Sequence, residues 1–293
     1  MNMKRMLLIL LGLGLLLGCR GKVPAAALTP ETKQTPAYAS SAPLQEVMVA
    51  AVSSTPTGTP RPTNTPTPTP SPTPEPTPTP DPTPDPDRPM VALTFDDGPT
   101  EYTPQVLDLL ERYGARGTFF VMGKNLNEKT RPILQRMADM GCDIGMHDLT
   151  HRDLTKLSTS INIQRIEQMR SLISAQIDGG YDTHLLRPPF GKLNQAVRRA
   201  CKAGNVASIR WSVDPRDWSS KDPKAILRIV KKETKNGSIL LFHDRLPSTV
   251  TALEAVIPYL QAQGYDLVTI TELIESSGQH MEYGEDYRCK PGR

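Results

Sequence analysis

Apolar and polar positions divide the chain into three stretches. A short apolar run at 6–18 follows Lys4 and Arg5. Between 20 and 89 no strand or helix period is sustained. From 90 onward, short apolar runs alternate with segments spaced i, i+3, i+4. The runs at 91–95, 117–122, 143–146, 185–186, 206–211, 238–242 and 267–270 predict strands. The periodic segments at 103–113, 128–140, 158–177, 194–203, 222–235, 249–263 and 271–276 predict helices. Thr103 suits an N-cap with Pro104 in the first turn, Pro132 interrupts the second helix early, and Asp222 caps a later one. Gly114, Gly141 and Gly204 stop three of them. Alternating strand and helix predicts a parallel sheet with right-handed crossovers, and this many strands predict a barrel-like closure. The polar tail 278–293 is left unassigned.

Composition changes the picture mainly outside this region. The run at 6–18 is a signal-peptide pattern, too short for a comfortable membrane span. It ends Leu16-Leu17-Gly18-Cys19, which resembles a bacterial lipobox, with Leu17 a less usual residue at its position; Cys19 is the expected lipidation site. Two acyl chains there would give stable anchoring. From 55 to 89 threonine and proline alternate almost without break. Such a stretch has no apolar surface to bury. It is expected to be extended polyproline II with a reach on the order of 100 Å. The organisation expected is a signal peptide at 1–18, a disordered linker at 19–89, a globular domain at 90–277 and a tail at 278–293. The balance of 34 basic and 31 acidic residues, net +3, argues against a nucleic-acid groove. Four cysteines are too few for a disulfide scaffold. Cys142 and Cys201 are expected to be free core thiols, with Cys289 making an odd third.

The candidate chemistry falls where the strands end. The run from Val91 closes on Asp96-Asp97-Gly98-Pro99, two adjacent carboxylates at a turn that need something positive beside them. His147-Asp-Leu-Thr-His151 follows the third strand, and two imidazoles four apart can face one ion across a helical turn. With Asp97 they make a two-His, one-carboxylate set with a free position, the pattern of catalytic zinc. Arg187 and its Pro-Pro follow the fourth strand, Asp214-Pro-Arg-Asp217-Trp218 the fifth, and Leu241-Phe-His243-Asp244 ends the sixth. Singly, Arg187 reads equally as a surface ion pair, Trp218 as core and His243 as a satisfied buried histidine. Together, polar loops at five strand ends mark the functional face of a barrel.

In this order the motifs Thr94-Phe-Asp-Asp-Gly-Pro99, His147-Asp-Leu-Thr-His151, Arg187-Pro-Pro-Phe-Gly191, Asp214-Pro-Arg-Asp217-Trp218 and Leu241-Phe-His243 resemble the polysaccharide deacetylase family, also called the NodB-homology domain or carbohydrate esterase family 4. The resemblance covers about 90–275. It implies an α/β fold, a distorted (β/α)7 barrel, and metal-dependent removal of acetyl groups from N-acetylated sugars. It implies Asp97, His147 and His151 as ligands of a divalent metal, zinc or alternatively cobalt. It further implies Asp96 as base held by Arg187, and His243 as acid tuned by Asp217. Trp218 and Leu241 are implied to line the acetyl pocket, with the Phe190 N–H binding the oxyanion.

Three positions depart from the family. Asp148 stands where the family usually has Ser or Thr, whose hydroxyl steadies the loop; Asp148 is able to accept a loop hydrogen bond but also adds charge near the metal. Met146 replaces Asn, and Phe190 replaces the commoner Tyr. The expected protein is a monomeric, lipid-anchored enzyme outside the cytoplasm, facing the cell wall. Its partners would be an N-acetylated glycan and, through the anchor, the membrane, with no nucleic acid. Peptidoglycan N-acetylglucosamine or N-acetylmuramic acid is the expected substrate. The alternatives are chitin oligosaccharides, acetylated xylan, or a glycan-binding lipoprotein without catalysis.

Overall fold

The computed structural model describes residues 88–292, so the export segment, Cys19 and the Thr/Pro stretch lie outside the described residues. In chain order the elements are β1 (Met90–Asp96), α1 (Thr103–Arg112), β2 (Thr118–Val121), α2 (Arg131–Asp139), β3 (Asp143–Met146), α3 (Thr159–Ser174), β4 (Leu185–Leu186) and α4 (Gln195–Ala203). They continue with β5 (Ala207–Ile209), α5 (Asp217–Ser220), α6 (Pro223–Glu233), β6 (Ser238–His243), α7 (Pro247–Ala262), β7 (Asp266–Val268), α8 (Ile270–Glu275) and β8 (Asp286–Tyr287). The strands form one sheet in the order β6-β1-β2-β3-β4-β5-β8, with β7 on β1. Every strand pair in it is parallel, as the alternation of elements predicts.

Side-chain parity along β1 sorts the core. Val91, Leu93 and Phe95 join the larger cluster packed against the helices. Met90 and Ala92 join a second cluster with Phe120, Ile209, Ile239 and the α8 residues Ile270, Leu273 and Ile274. Thr94 and Asp96 share the parity of Met90 and Ala92, because successive side chains alternate. This inner face is thus apolar at the strand starts, where α8 packs, and polar at the strand ends. The same parity on β6 puts Ile239, Leu241 and His243 on the inner face.

Several local expectations differ in detail. Tyr102, not Thr103, is the N-cap of α1 and makes no side-chain cap bond. Thr103 Oγ1 instead donates to Asp244 Oδ2 at 2.5 Å. Pro132 does not interrupt a helix; α2 begins at Arg131 with the proline in its first turn, where no backbone donor is needed. Ser158, Asn194 and Asp222 cap α3, α4 and α6 through their side chains. Cys142, Cys201 and Cys289 are all free.

The unassigned tail is part of the sheet. Ser208 and Ile209 of β5 pair with Asp286 and Tyr287 of β8. Arg210 forms an ion pair with Asp286. Cys289 then bridges to Ser238, the first residue of β6. Nearer the strand ends, Val213 bridges to Leu240. The seam between β5 and β6 is closed by the tail below and by the β5 loop above.

Candidate active site

β1 delivers both carboxylates. Asp96 is its last residue and is buried. Asp97 follows in the left-handed region (φ 75), which turns its side chain away from the strand's alternation. Asn125 Nδ2 fixes this turn by donating to the Asp97 carbonyl at 2.7 Å. Gly98 is required here, since a Cβ would stand 2.2 Å from Asp244 Oδ2.

The two histidines do not sit on a helical turn. Residues 147–151 form a loop with left-handed Asp148 (φ 69) and His151 (φ 62), and that backbone brings the rings together. Nε2 of His147 and Nε2 of His151 each lie 3.6 Å from Asp97 Oδ1. That oxygen is buried and has no hydrogen-bond partner. His147 Nδ1 lies 2.8 Å from the Arg187 carbonyl oxygen. A carbonyl only accepts, so Nδ1 carries the hydrogen and Nε2 presents its lone pair to the cluster. Burial, then the neighbouring His147, hold His151 below the usual imidazole range. Burial alone would raise Asp97, but His147, His243, Arg245 and His151 together hold it below the usual carboxylate range. Two imidazole nitrogens facing one unpartnered carboxylate oxygen fit a divalent cation of the zinc type.

Arg187 is wholly buried on the inner face. Its Nη1 donates to Asp96 Oδ1 at 2.7 Å and to Thr94 Oγ1 at 2.8 Å. Nε and Nη2 donate to the carbonyls of Ile209 and Arg210. The guanidinium lies 4.2 Å over the Phe120 ring. Phe120 reaches that place because Gly145 leaves room, a Cβ there being 2.6 Å from the ring. A buried cation with this many acceptors is a fixed part of the site, not a surface pair.

His243 ends β6. Its Nδ1 lies 2.9 Å from Asp217 Oδ1, and its backbone N–H donates to Asp217 Oδ2 at 2.7 Å. Thr249 Oγ1 also donates to Oδ2 at 2.7 Å, so Asp217 is held from three sides with the Trp218 N–H. Burial would lower the His243 imidazole, yet the Asp217 bond and charge raise it above the usual range. Trp218 is 51% exposed and Phe190 59% exposed, so both rings stand at the mouth, while Leu241 is buried beneath. Phe190 is left-handed (φ 62) and packs edge-on to His151.

Two residues of the site carried no signal that was read from the sequence. Arg245 Nε donates to Asp97 Oδ2 at 2.7 Å, leaving Oδ1 as the free oxygen. Asp148 does not face the metal cluster with an unmatched charge: Arg165 Nε donates to its Oδ1 at 2.6 Å. Arg245 follows His243-Asp244 directly, and that adjacency was the available clue. Arg165 lies in the middle of α3, where nothing local marks it.

The geometry defines a class: a parallel α/β barrel with a cation-type cluster beside a carboxylate–arginine and a carboxylate–histidine pair. The sequence model described as polysaccharide deacetylase matches residues 83–208. A peptidoglycan-N-acetylglucosamine deacetylase of Bacillus cereus is 35% identical over 191 residues, covering 63% of this chain and 88% of that protein. A bifunctional xylanase/deacetylase of Pseudobutyrivibrio xylanivorans is 38% identical over 192 residues, 64% of this chain but only 31% of that protein's length. The solved peptidoglycan deacetylase PdaC of Bacillus subtilis superposes with a TM-score of 0.62 at 35% identity, covering 67% of this chain and 94% of that one. The chain belongs to the polysaccharide deacetylase family, with the α/β barrel architecture its motifs imply.

Proposed function

We propose that this protein is a metal-dependent N-deacetylase acting on peptidoglycan sugars, N-acetylglucosamine or N-acetylmuramic acid. The observation that carries the reading is the buried, unpartnered Asp97 Oδ1 facing two imidazole Nε2 atoms, with Asp96 and His243 beside it. A divalent ion held by Asp97, His147 and His151, zinc or cobalt by the donor set, supplies Lewis acidity to the acetyl carbonyl when bound. Asp96, oriented by Arg187, takes a proton from the attacking water. The Phe190 N–H donates to the oxygen that gains charge. His243, fixed through Nδ1 by Asp217, gives its Nε2 proton to the amine nitrogen as the carbon–nitrogen bond breaks. Acetate and a free amino sugar are the products. Leu241 and Trp218 border the space for the acetyl methyl.

The peptidoglycan reading is supported by the names of the Bacillus relatives and fits the alternating Thr/Pro composition of 55–89, which is expected of a spacer. In this reading the protein is a monomer anchored through lipid on Cys19 outside the cytoplasm. Among the described residues no helix is long and apolar enough to cross a membrane. The xylanase/deacetylase relative makes acetylated xylan the second substrate to test. Mass spectrometry of muropeptides, chitin oligomers and acetylated xylan after incubation decides between them. Loss of 42 Da per sugar (about one acetyl for hydrogen, by hydrolysis) from muropeptides is expected. Loss from xylan alone would overturn the peptidoglycan assignment. Cys19→Ala is expected to release the protein from membranes or block its maturation; unchanged retention would remove the anchor.

A further inference from the structure

The loop carrying His147 and His151 has two left-handed residues that are not glycine, Asp148 and His151. Each such residue costs on the order of 1–3 kcal/mol and persists only where its surroundings enforce it. The enforcement comes from the Asp148 carboxylate. Its side chain is fully buried. Oδ2 accepts the N–H of Thr150 at 3.1 Å and of Arg152 at 2.8 Å, the two residues that flank His151. Arg165 of α3 grips the same carboxylate as a fork, Nε to Oδ1 at 2.6 Å and Nη2 to Oδ2 at 3.0 Å. Nη2 also donates to Thr150 Oγ1 at 3.0 Å. On the other side the loop is tied by Gly123 N–H to the Asp148 carbonyl and Lys124 N–H to the Leu149 carbonyl. A small hydroxyl, the family's usual side chain here, has no means of taking a guanidinium fork.

We propose that Arg165, acting through Asp148, is a positioning residue that sets the two imidazoles at metal-binding separation. The Asp148–Arg165 pair does this in place of the usual loop hydroxyl and cancels the charge that Asp148 alone would add. This rests on the metal reading of Asp97, His147 and His151. Outer-shell partners of metal ligands typically govern affinity by about 10–100-fold.

The test is calorimetric titration of zinc into the purified, metal-stripped full-length protein and its variants, below their melting temperatures. A purely electrostatic influence predicts opposite signs: Arg165→Gln removes a positive charge and tightens zinc, whereas Asp148→Asn weakens it. Positioning predicts that both weaken zinc, Arg165→Gln by about tenfold or more. The double variant Asp148→Asn/Arg165→Gln should then lose less than the product of the single losses, because no carboxylate is left stranded. Arg165→Lys keeps the charge but lacks the fork. It should also weaken zinc, and it serves if Arg165→Gln does not fold. Tighter or unchanged zinc binding in Arg165→Gln, or unchanged binding in Arg165→Lys, overturns the proposal while leaving the metal site intact. A wild-type protein that takes up no zinc overturns the metal reading and the inference with it.

Discussion

Asp96 and His243 are register partners on adjacent parallel strands, the last residues of β1 and β6, and their side chains share the inner face. Partners in a parallel sheet stand about 4.8 Å apart at the backbone. The proposed base and acid are therefore placed by the sheet itself, and the loops only tune them.

Asp96→Asn should keep its metal and lose about a hundredfold or more in turnover, since general-base contributions are of that size. His243→Ala should suffer most with amides, whose nitrogen leaves only when protonated. An aryl acetate has a better leaving group and should be partly spared. Steady-state kinetics on an N-acetyl oligosaccharide and an aryl acetate read both effects. Equal losses on the two substrates would count against an acid role for His243, and metal loss in Asp96→Asn would exchange the roles of Asp96 and Asp97.

Asp217 raises the His243 imidazole by a hydrogen bond and by its charge. Protonated His243 is the acid form, so activity should fall as pH rises through its pKa. Asp217→Asn removes the charge and should move the alkaline limb of kcat/KM to lower pH. Thr249→Ala, which removes one of the two hydrogen bonds to Asp217 Oδ2, should shift it less. An alkaline limb that stays in place in Asp217→Asn would assign that limb to another group.

Arg187 serves both halves of the site by different atoms: its guanidinium holds Asp96, and its backbone carbonyl accepts from His147. Arg187→Met keeps the carbonyl. Zinc affinity should therefore stay within a few-fold while turnover collapses. Stability should fall by about 3–5 kcal/mol, as when one member of a buried ion pair is removed. Denaturant unfolding with zinc titration separates these; parallel loss of metal and turnover would mean the side chain also positions His147.

Asp244 is buried under Gly98, with Oδ1 unpartnered. Burial pushes its acid up to about 7 from the usual 3.8, against the Thr103 bond and with help from the charges of Asp97 and Asp96. The folded state holds this proton where the unfolded state has lost it. Its contribution to stability is thus full below the unfolded value and is lost as pH rises through the folded one. Asp244→Asn should flatten the decline of stability across that window. The urea midpoints of wild type and variant at pH 5 and pH 8, measured without metal, check this; an unchanged slope would place the proton elsewhere.

How legible these features were depends on how local their causes are. The buried run of β1, the Asp222 cap and the motifs at strand ends follow from neighbouring residues, and the sequence carries them. The left-handed backbone at Asp148 and His151 does not: a His-x-x-x-His spacing suggests a helical turn, and the loop is enforced by the Asp148 carboxylate on the Thr150 and Arg152 N–H groups together with contacts from α3 and from residues 123–124. Thr103 resembles a cap but finds Asp244 instead, 141 positions away. Arg245 and Arg165 bond to carboxylates 148 and 17 positions distant, and no periodic signal records such pairings. The two-residue β8 is polar and too short to show alternation, so only its place against β5 reveals it.

That last strand bears on where anyone may safely cut this protein. The family match ends at 208, and the regular pattern of the sequence fades near 277. A chain stopped at either place would retain or approach every proposed catalytic motif only in the longer case, and in both it would lose Asp286 and Tyr287. Ser208 and Arg210 now donate their backbone N–H groups to Glu285 and Tyr287. Stripped of those acceptors, β5 becomes a raw sheet margin, a template for the same margin on another molecule. A preparation trimmed at 277 should therefore run as higher-order species on a sizing column while the chain carried through 290 does not. The residues after 277 act less as a tail than as a selvedge, the finished edge that keeps the weave from joining its neighbour.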